Sequence, residues 1–223
     1  MCNLYSNLTT QEAMAQLFEA RPPARPENTR SRAVFPRHRA TIIVESEFGR
    51  ELSDAHWGFL MPRKSKRTGQ PIMPNAVTNA RDDKIRTSGF WRDSFRNRRC
   101  LVPATAYCEP TGRRPATYHW FGVLGPGRVI APFAFAGIWQ RCQGEYQGGN
   151  GLNCFAIATT APNQLAARFH NRMPVILRPG SYGEWLNGGE ESAAALLRPL
   201  EDGHLALLAQ GVGMTRHPET GSD

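Results

Sequence analysis

The sequence predicts a single α+β domain: a curved, mostly antiparallel β-sheet with a barrel-like core and flanking helices. Three observations predict it. Apolar, β-branched and aromatic runs such as "ATIIVES" and "LNCFAIATT" recur along the chain. Gly/Pro-rich turns such as "GPG" and "GEYQGGNG" separate several of them, which favours hairpins over βαβ crossovers. Helical patterns are few and short, and 223 residues fit one medium-sized domain.

"TTQEAMAQLFEA" places Thr9 three residues before Glu12, a capping-box spacing, with Ala13, Leu17 and Ala20 on one face. A first helix is expected from about Thr10 to Ala20. The three prolines of "RPPARPENTRSR" then break regular structure. Strands are expected at "ATIIVES", "CLVPATAYCE", "ATYHWFGV", "RVIAPFAFAGIWQ" and "LNCFAIATT". "PNQLAARFH" reads as one helix, "MPVIL" as a short strand, and "SYGEWL" and "ESAAALLRPL" as short helices. The domain is expected over residues 2–212, with 213–223 as a flexible polar tail that has little to anchor it.

Composition limits the function classes. Apolar content is 40%, and the longest apolar run is too short and proline-interrupted to span a membrane. No basic region followed by an apolar stretch marks a secretory signal, so a cytoplasmic protein without membrane attachment is expected. The five cysteines (Cys2, Cys100, Cys108, Cys142, Cys154) form no C-x-x-C pair and read as reduced thiols. The histidines share no ligand spacing with them, so neither a metal nor another cofactor is expected. Net charge is +8, much of it in "RDDKIRTSGFWRDSFRNRRC" and "RKSKR", which suggests a polyanionic partner, most commonly nucleic acid.

The chain opens "MCNLYS". Aminopeptidases remove Met1 when the second residue is small, and Cys2 would then carry a thiol and an α-amine on adjacent carbons. Their reference pKa values, near 8.5 and 7.7–8.0, leave both partly deprotonated near neutrality. Two chemistries follow. The thiolate can attack an acyl group with the amine as base, or the amine can condense with an aldehyde and the thiol close the imine to a thiazolidine. Leu4 and Tyr5 suggest a terminus packed into the fold. Three motifs offer helpers. "AYCEP" puts Glu109 at the end of an apolar strand, "RFHNRMPVIL" sets His170 before the restriction imposed by Met173-Pro174, and "PNAVTNARDDK" places Asn79 and Arg81 on a polar loop.

Taken together and in this order, "MC", "HWGF", "TNAR", "RRCLVPATAYCE" and "FHNRMPVIL" resemble the SOS-response-associated peptidase family, also called abasic-site processing proteins. The resemblance runs from residue 2 to about 178. It implies that the mature N-terminal cysteine crosslinks to the ring-opened aldehyde of an abasic site in single-stranded DNA through a thiazolidine, shielding the lesion. It also implies self-removal of the initiator methionine and a monomer that is nucleoid-associated when bound to DNA. By matching motif, Cys2 would crosslink, Asn79 would position the amine and sugar, Glu109 would act as acid/base, and His170 would protonate the sugar oxygen. Arg81 would contact phosphate and Trp57 would stack on a base. The chain departs from the family pattern at Asn3-Leu4, where Gly-Arg is common. It departs again at Cys108-Glu109-Pro110, where Tyr-Glu-Trp is frequent, and after "WGF", where a second tryptophan is usual.

Two other readings share some of these residues. An N-terminal-nucleophile amidohydrolase would use Cys2 on an amide, but would have no need for so many arginines in residues 81–99. A non-catalytic nucleic-acid-binding module would leave Cys2 incidental.

Overall fold

The computed structural model describes residues 2–24, 30–142, 145–146, 149–150 and 153–217. Met1, much of the turn expected at "GEYQGGNG" and part of "RPPARPENTRSR" lie outside the described residues.

β1 (Tyr5–Asn7) and α1 (Gln11–Leu17) precede β2 (Ser31–Val34), β3 (Arg39–Ser46) and β4 (Gly49–Trp57). β5 (Phe59–Lys64) and β6 (Pro71–Val77) follow, then β7 (Asn79–Arg81), α2 (Asp82–Ile85) and α3 (Arg92–Asn97). The middle of the chain supplies β8 (Arg99–Ala104), β9 (Ala106–Thr111), β10 (Thr117–Leu124), β11 (Ile130–Ala131) and β12 (Phe133–Arg141). β13 (Glu145–Tyr146), β14 (Gly149–Asn150), β15 (Asn153–Thr160), β16 (Met173–Pro174) and β17 (Ile176–Leu177) come next. α4 (Tyr182–Asn187), α5 (Glu190–Ala195) and β18 (Leu205–Val212) complete the chain.

Two sheets carry the fold. One runs β11-β10-β9-β1-β2, with β18 also on β10. The other runs β16-β15-β4-β3-β8-β12-β17, and an additional β15–β12 pairing closes β15-β4-β3-β8-β12 on itself. The predicted barrel-like, mostly antiparallel architecture is therefore present; among the described strands, the parallel pairings are those of β15 with β4 and β7. Closure follows from alternation. Along β12 and β15 the small residues Ala134, Ala136, Ala156 and Ala158 face the helix-covered core with Trp91, Phe95 and Trp185. The intervening Phe133, Phe135, Phe155 and Ile157 face a second core that takes Cys2 and Tyr5 from the first sheet.

Several local expectations change. Thr10, not Thr9, caps α1, its side chain accepting from the Ala13 N–H. The expected strands at 100–109 and 128–140 are each split between the two sheets, at Thr105 and Pro132. "PNQLAARFH" forms turns and one 3-10 turn at Ala166–Arg168 rather than a helix. The Asn163 side chain there takes the Ala166 N–H and donates to the Leu200 carbonyl, tying the segment down locally. Residues 213–217 are anchored, because Trp120 Nε1 donates to the Met214 carbonyl and the His217 N–H to the Arg32 carbonyl. The rest of the expected tail lies outside the described residues. The thiols are not all reduced: β12–β15 pairing brings Cys142 and Cys154 to a Cα separation of 5.8 Å, joined as a disulfide. Cys2, Cys100 and Cys108 are free and buried.

Candidate active site

β1 pairs with β9 through Tyr5 opposite Tyr107, and the Cys108 N–H donates to the Leu4 carbonyl. This pairing draws the first residues of the chain into the fold and brings Cys2 to within 1% exposure. Its thiol donates to the Leu4 carbonyl at 3.7 Å. Burial, reinforced by the Glu109 carboxylate, pushes that thiol far above the ordinary cysteine value.

β7 reaches the same place from the other sheet. Asn79 Nδ2 donates to the Cys2 carbonyl at 2.9 Å and to Thr78 Oγ1 at 2.9 Å. The Thr78 hydroxyl donates in turn to Asn3 Oδ1 at 3.3 Å. Asn79 Oδ1 is buried and has no hydrogen-bond partner among the described residues, leaving an acceptor for something else at the site. Glu109, at the end of β9, is 5% exposed. His170 Nε2 stands 3.8 Å from Glu109 Oε1. The Arg172 backbone N–H donates to His170 Nδ1 at 3.0 Å, so the neutral ring carries its proton on Nε2, facing Glu109. The structure thus brings together Cys2, Asn79, Glu109 and His170.

The two nucleic-acid contacts expected from the sequence fare differently. Trp57 is fully buried, stacked at 7° on Phe155 and edge-on to Tyr5, with Nε1 donating to the Thr78 carbonyl. It presents no face to a base, and the expected stacking role is corrected to that of a pillar beneath Thr78–Asn79. Arg81 is about half exposed, but its guanidinium grips Asp83 through two bonds of 3.0 and 3.1 Å.

The basic block at 81–99 is also largely occupied. Arg86 and Arg96 bind Glu190, Arg86 also reaches Glu191, and Arg98 binds Asp93. Arg99 is buried and bonded to the carbonyls of Phe95, Trp185 and Gly188. These arginines brace α3 and α5 against the barrel. The second block stands on the β5–β6 hairpin, a two-stranded ribbon apart from both sheets. Arg63, Lys64, Lys66 and Arg67 are exposed there, and no Asp or Glu occurs in residues 55–81. The ribbon joins the barrel at Gly58 (φ +122°), where a Cβ would come within 2.7 Å of the Ala76 Cβ.

An open groove of about 410 Å³ lies between ribbon and site, lined by Asn3, Leu4, Phe35, Pro36, Ala76, Thr78, Pro110 and Tyr118. Asn3, Thr78 and Pro110 are the chain neighbours of Cys2, Asn79 and Glu109. Sequence reasoning missed the ribbon as a unit; the lack of acids across residues 55–81 was the available signal. Among the described residues no group of three His, Cys, Asp or Glu side chains could hold a metal, and no helix is long and apolar enough to cross a membrane.

Comparison with known proteins places this geometry. The sequence model for "SOS response associated peptidase (SRAP)" matches residues 1–211. Two Bacillus subtilis proteins named abasic site processing protein, YoqW and YoaM, are each 29% identical over 155 residues, 69% of this chain. The match spans 65% of YoqW and 64% of YoaM, less than two-thirds of either. A Bordetella bronchiseptica crystal structure superposes with a TM-score of 0.71 at 24% identity, covering 95% of this chain and 99% of that one. A Bacteroides thetaiotaomicron structure gives 0.70 at 22% identity, covering 95% and 91%; both likenesses speak to the fold.

Proposed function

The chain belongs to the SOS response associated peptidase family, and from that premise we propose that it crosslinks abasic sites in single-stranded DNA through Cys2. The observation that carries this reading is the meeting at Cys2 of Asn79, which bonds its carbonyl, and Glu109, whose carboxylate acts on its thiol, with His170 beside Glu109.

For release of Met1, the Cys2 thiol attacks the Met1 carbonyl carbon and the Met1–Cys2 C–N bond breaks, leaving a thioester and the α-amine; water then hydrolyses the thioester, freeing methionine and restoring the thiol. The amine attacks the aldehyde carbon of the ring-opened sugar, and loss of one water gives an imine. The thiol then adds across the C=N bond: a C–S bond forms, the thiol proton ends on nitrogen, and a thiazolidine results. His170, with its proton on Nε2, supplies the acid for ring opening. The acceptor left on Asn79 Oδ1 takes a sugar hydroxyl, while Nδ2 fixes the Cys2 carbonyl so that amine and thiol stay on one face of the aldehyde carbon. The thiol is held protonated by burial, so its addition needs a base, and Glu109 is the carboxylate acting on it.

The strand is led along the groove beside Asn3 and Pro110, with the cations of the β5–β6 ribbon taking phosphates by counterion release. An amide hydrolase would use the same Cys2, but an acid-free basic ribbon beside the site gives it nothing. Intact-mass analysis before and after incubation with abasic single-stranded DNA is the test. A single adduct is expected, absent in Cys2→Ala and in protein with residues fused before Cys2. Processed wild-type protein that forms no adduct would overturn the reading.

A further inference from the structure

His119 is a buried histidine that the chemistry above does not use. It lies on β10 directly opposite Glu109 of β9, so the two side chains share one face of the sheet. Thr111, two residues beyond Glu109 and on that same face, holds His119 Nε2 at 2.8 Å. The imidazole meets the Phe169 ring at 4.6 Å between centroids. Phe121, two residues further along β10, meets the same ring edge-on at 5.2 Å. Phe169 is therefore held between two β10 side chains, and the next residue is His170.

The turn before it is tied down by Asn163, and the Phe169 and His170 N–H groups both donate to the Ala166 carbonyl at 3.0 Å. Those bonds hold the backbone from one side, and the ring contacts of Phe169 hold the same residue pair from the β10 side, where Glu109 lies opposite. His119 Nδ1 is buried without a partner among the described residues. The Thr111 bond accounts for Nε2 only; the imidazole still buries an unpaired Nδ1, a cost that packing alone does not explain.

We propose that His119 is a positioning residue for the Glu109–His170 pair, acting through Phe169 on His170 and across the strand pair on Glu109. The proposal rests on the crosslinking reading for its kinetic test only. Removing the ring lets His170 drift from Glu109, and a misplacement of about 1 Å in such a pair can cost on the order of 100-fold in rate.

The experiment compares His119→Ala, His119→Phe and Phe169→Leu with wild type, following crosslinking of abasic single-stranded DNA against pH. His119→Ala should slow crosslinking roughly 10- to 100-fold and change the shape of the pH–rate profile, with affinity for an undamaged strand unchanged. His119→Phe keeps the contact with Phe169 and should recover most of the rate at the optimum, but not the wild-type pH profile. Ring NMR signals of His170 in the DNA-free protein should move in His119→Ala, a readout that stands whether or not crosslinking occurs. A wild-type rate and profile in His119→Ala, with unmoved His170 signals, overturns the proposal. If His119→Ala does not fold, Phe169→Leu loosens the same contact from the rim, and a wild-type result there overturns it equally. Wild-type protein that forms no adduct defeats the Cys2 reading instead.

Discussion

Asn79 and Cys2 are 77 residues apart in the chain and joined by a 2.9 Å hydrogen bond from Nδ2 to the Cys2 carbonyl. The bond ties the segment before β1 to β7 of the closed barrel, and so fixes a nucleophile that carries no secondary structure of its own. Asn79→Ala removes this anchor and leaves the buried carbonyl unpaired, at about 1–3 kcal/mol of stability. Crosslinking should fall roughly 10- to 100-fold because amine and thiol lose their common orientation. Denaturant titration and adduct kinetics on the same preparation separate the two effects. Equal rates in wild type and Asn79→Ala would show that the hydrogen bond is structural only.

Arg81 reaches the same region with its guanidinium already engaged by Asp83. Solvent-exposed pairs of this kind are weak, so the bond limits phosphate binding without forbidding it. Asp83→Asn should tighten binding to an undamaged single strand about two- to fivefold, and Arg81→Ala in that background should reverse the gain. Weaker binding by Asp83→Asn would mean that Asp83 orders the arginine for DNA rather than competing for it.

The two basic blocks separate by the same logic. Arg96 and Arg98 are committed to Glu190 and Asp93, whereas Arg63, Lys64, Lys66 and Arg67 stand on a ribbon with no acid in residues 55–81. Replacing the four ribbon cations with serine should lower the slope of log K against log salt by up to about 3 for a single strand. Arg96→Ala and Arg98→Ala should change the melting temperature slightly and leave that slope alone. The opposite pattern would return the DNA track to residues 81–99.

How far the sequence could be read follows from the range of the interactions involved. The strands at 40–46 and 153–160 were legible because a run of apolar and β-branched residues is local, and the barrel-like sheet because hairpin turns leave a mark in glycine and proline. Cys2, Asn79, Glu109 and His170 were legible as motifs; that they meet depends on β1 pairing with β9 and on β7 reaching Cys2. Trp57 was given a stacking role by its motif, and a motif gives no sign of the burial that comes from Phe155 and Tyr5, far away in sequence. The ion pairs of Arg86 and Arg96 were not legible for the same reason, their acids lying at 190 and 191. "PNQLAARFH" has helical composition, but Asn163 binds its own turn and Leu200 instead.

The buried protonated groups set the alkaline limit of the fold. Burial raises the Cys108 thiol to about 12 and holds those of Cys2 and Cys100 well above the ordinary range, and it raises the phenols of Tyr5, Tyr107 and Tyr182 too. In the unfolded chain the thiols release protons near pH 8.5 and the phenols near 10. Between those values and the raised native ones the unfolded state binds fewer protons than the native state, so stability falls as pH rises. The thiol contribution is complete below about pH 8.5 and is lost above it, at up to about 1.4 kcal/mol per pH unit for each thiol. Urea midpoints should therefore hold steady from pH 7 to 8.5 and drop steeply by pH 10. Cys108→Ala, which has no thiol to ionise at that position, should flatten the descent. A midpoint that stayed constant to pH 10 would mean that the thiols reach solvent in the native state, and that Cys2 is not held protonated beside Glu109.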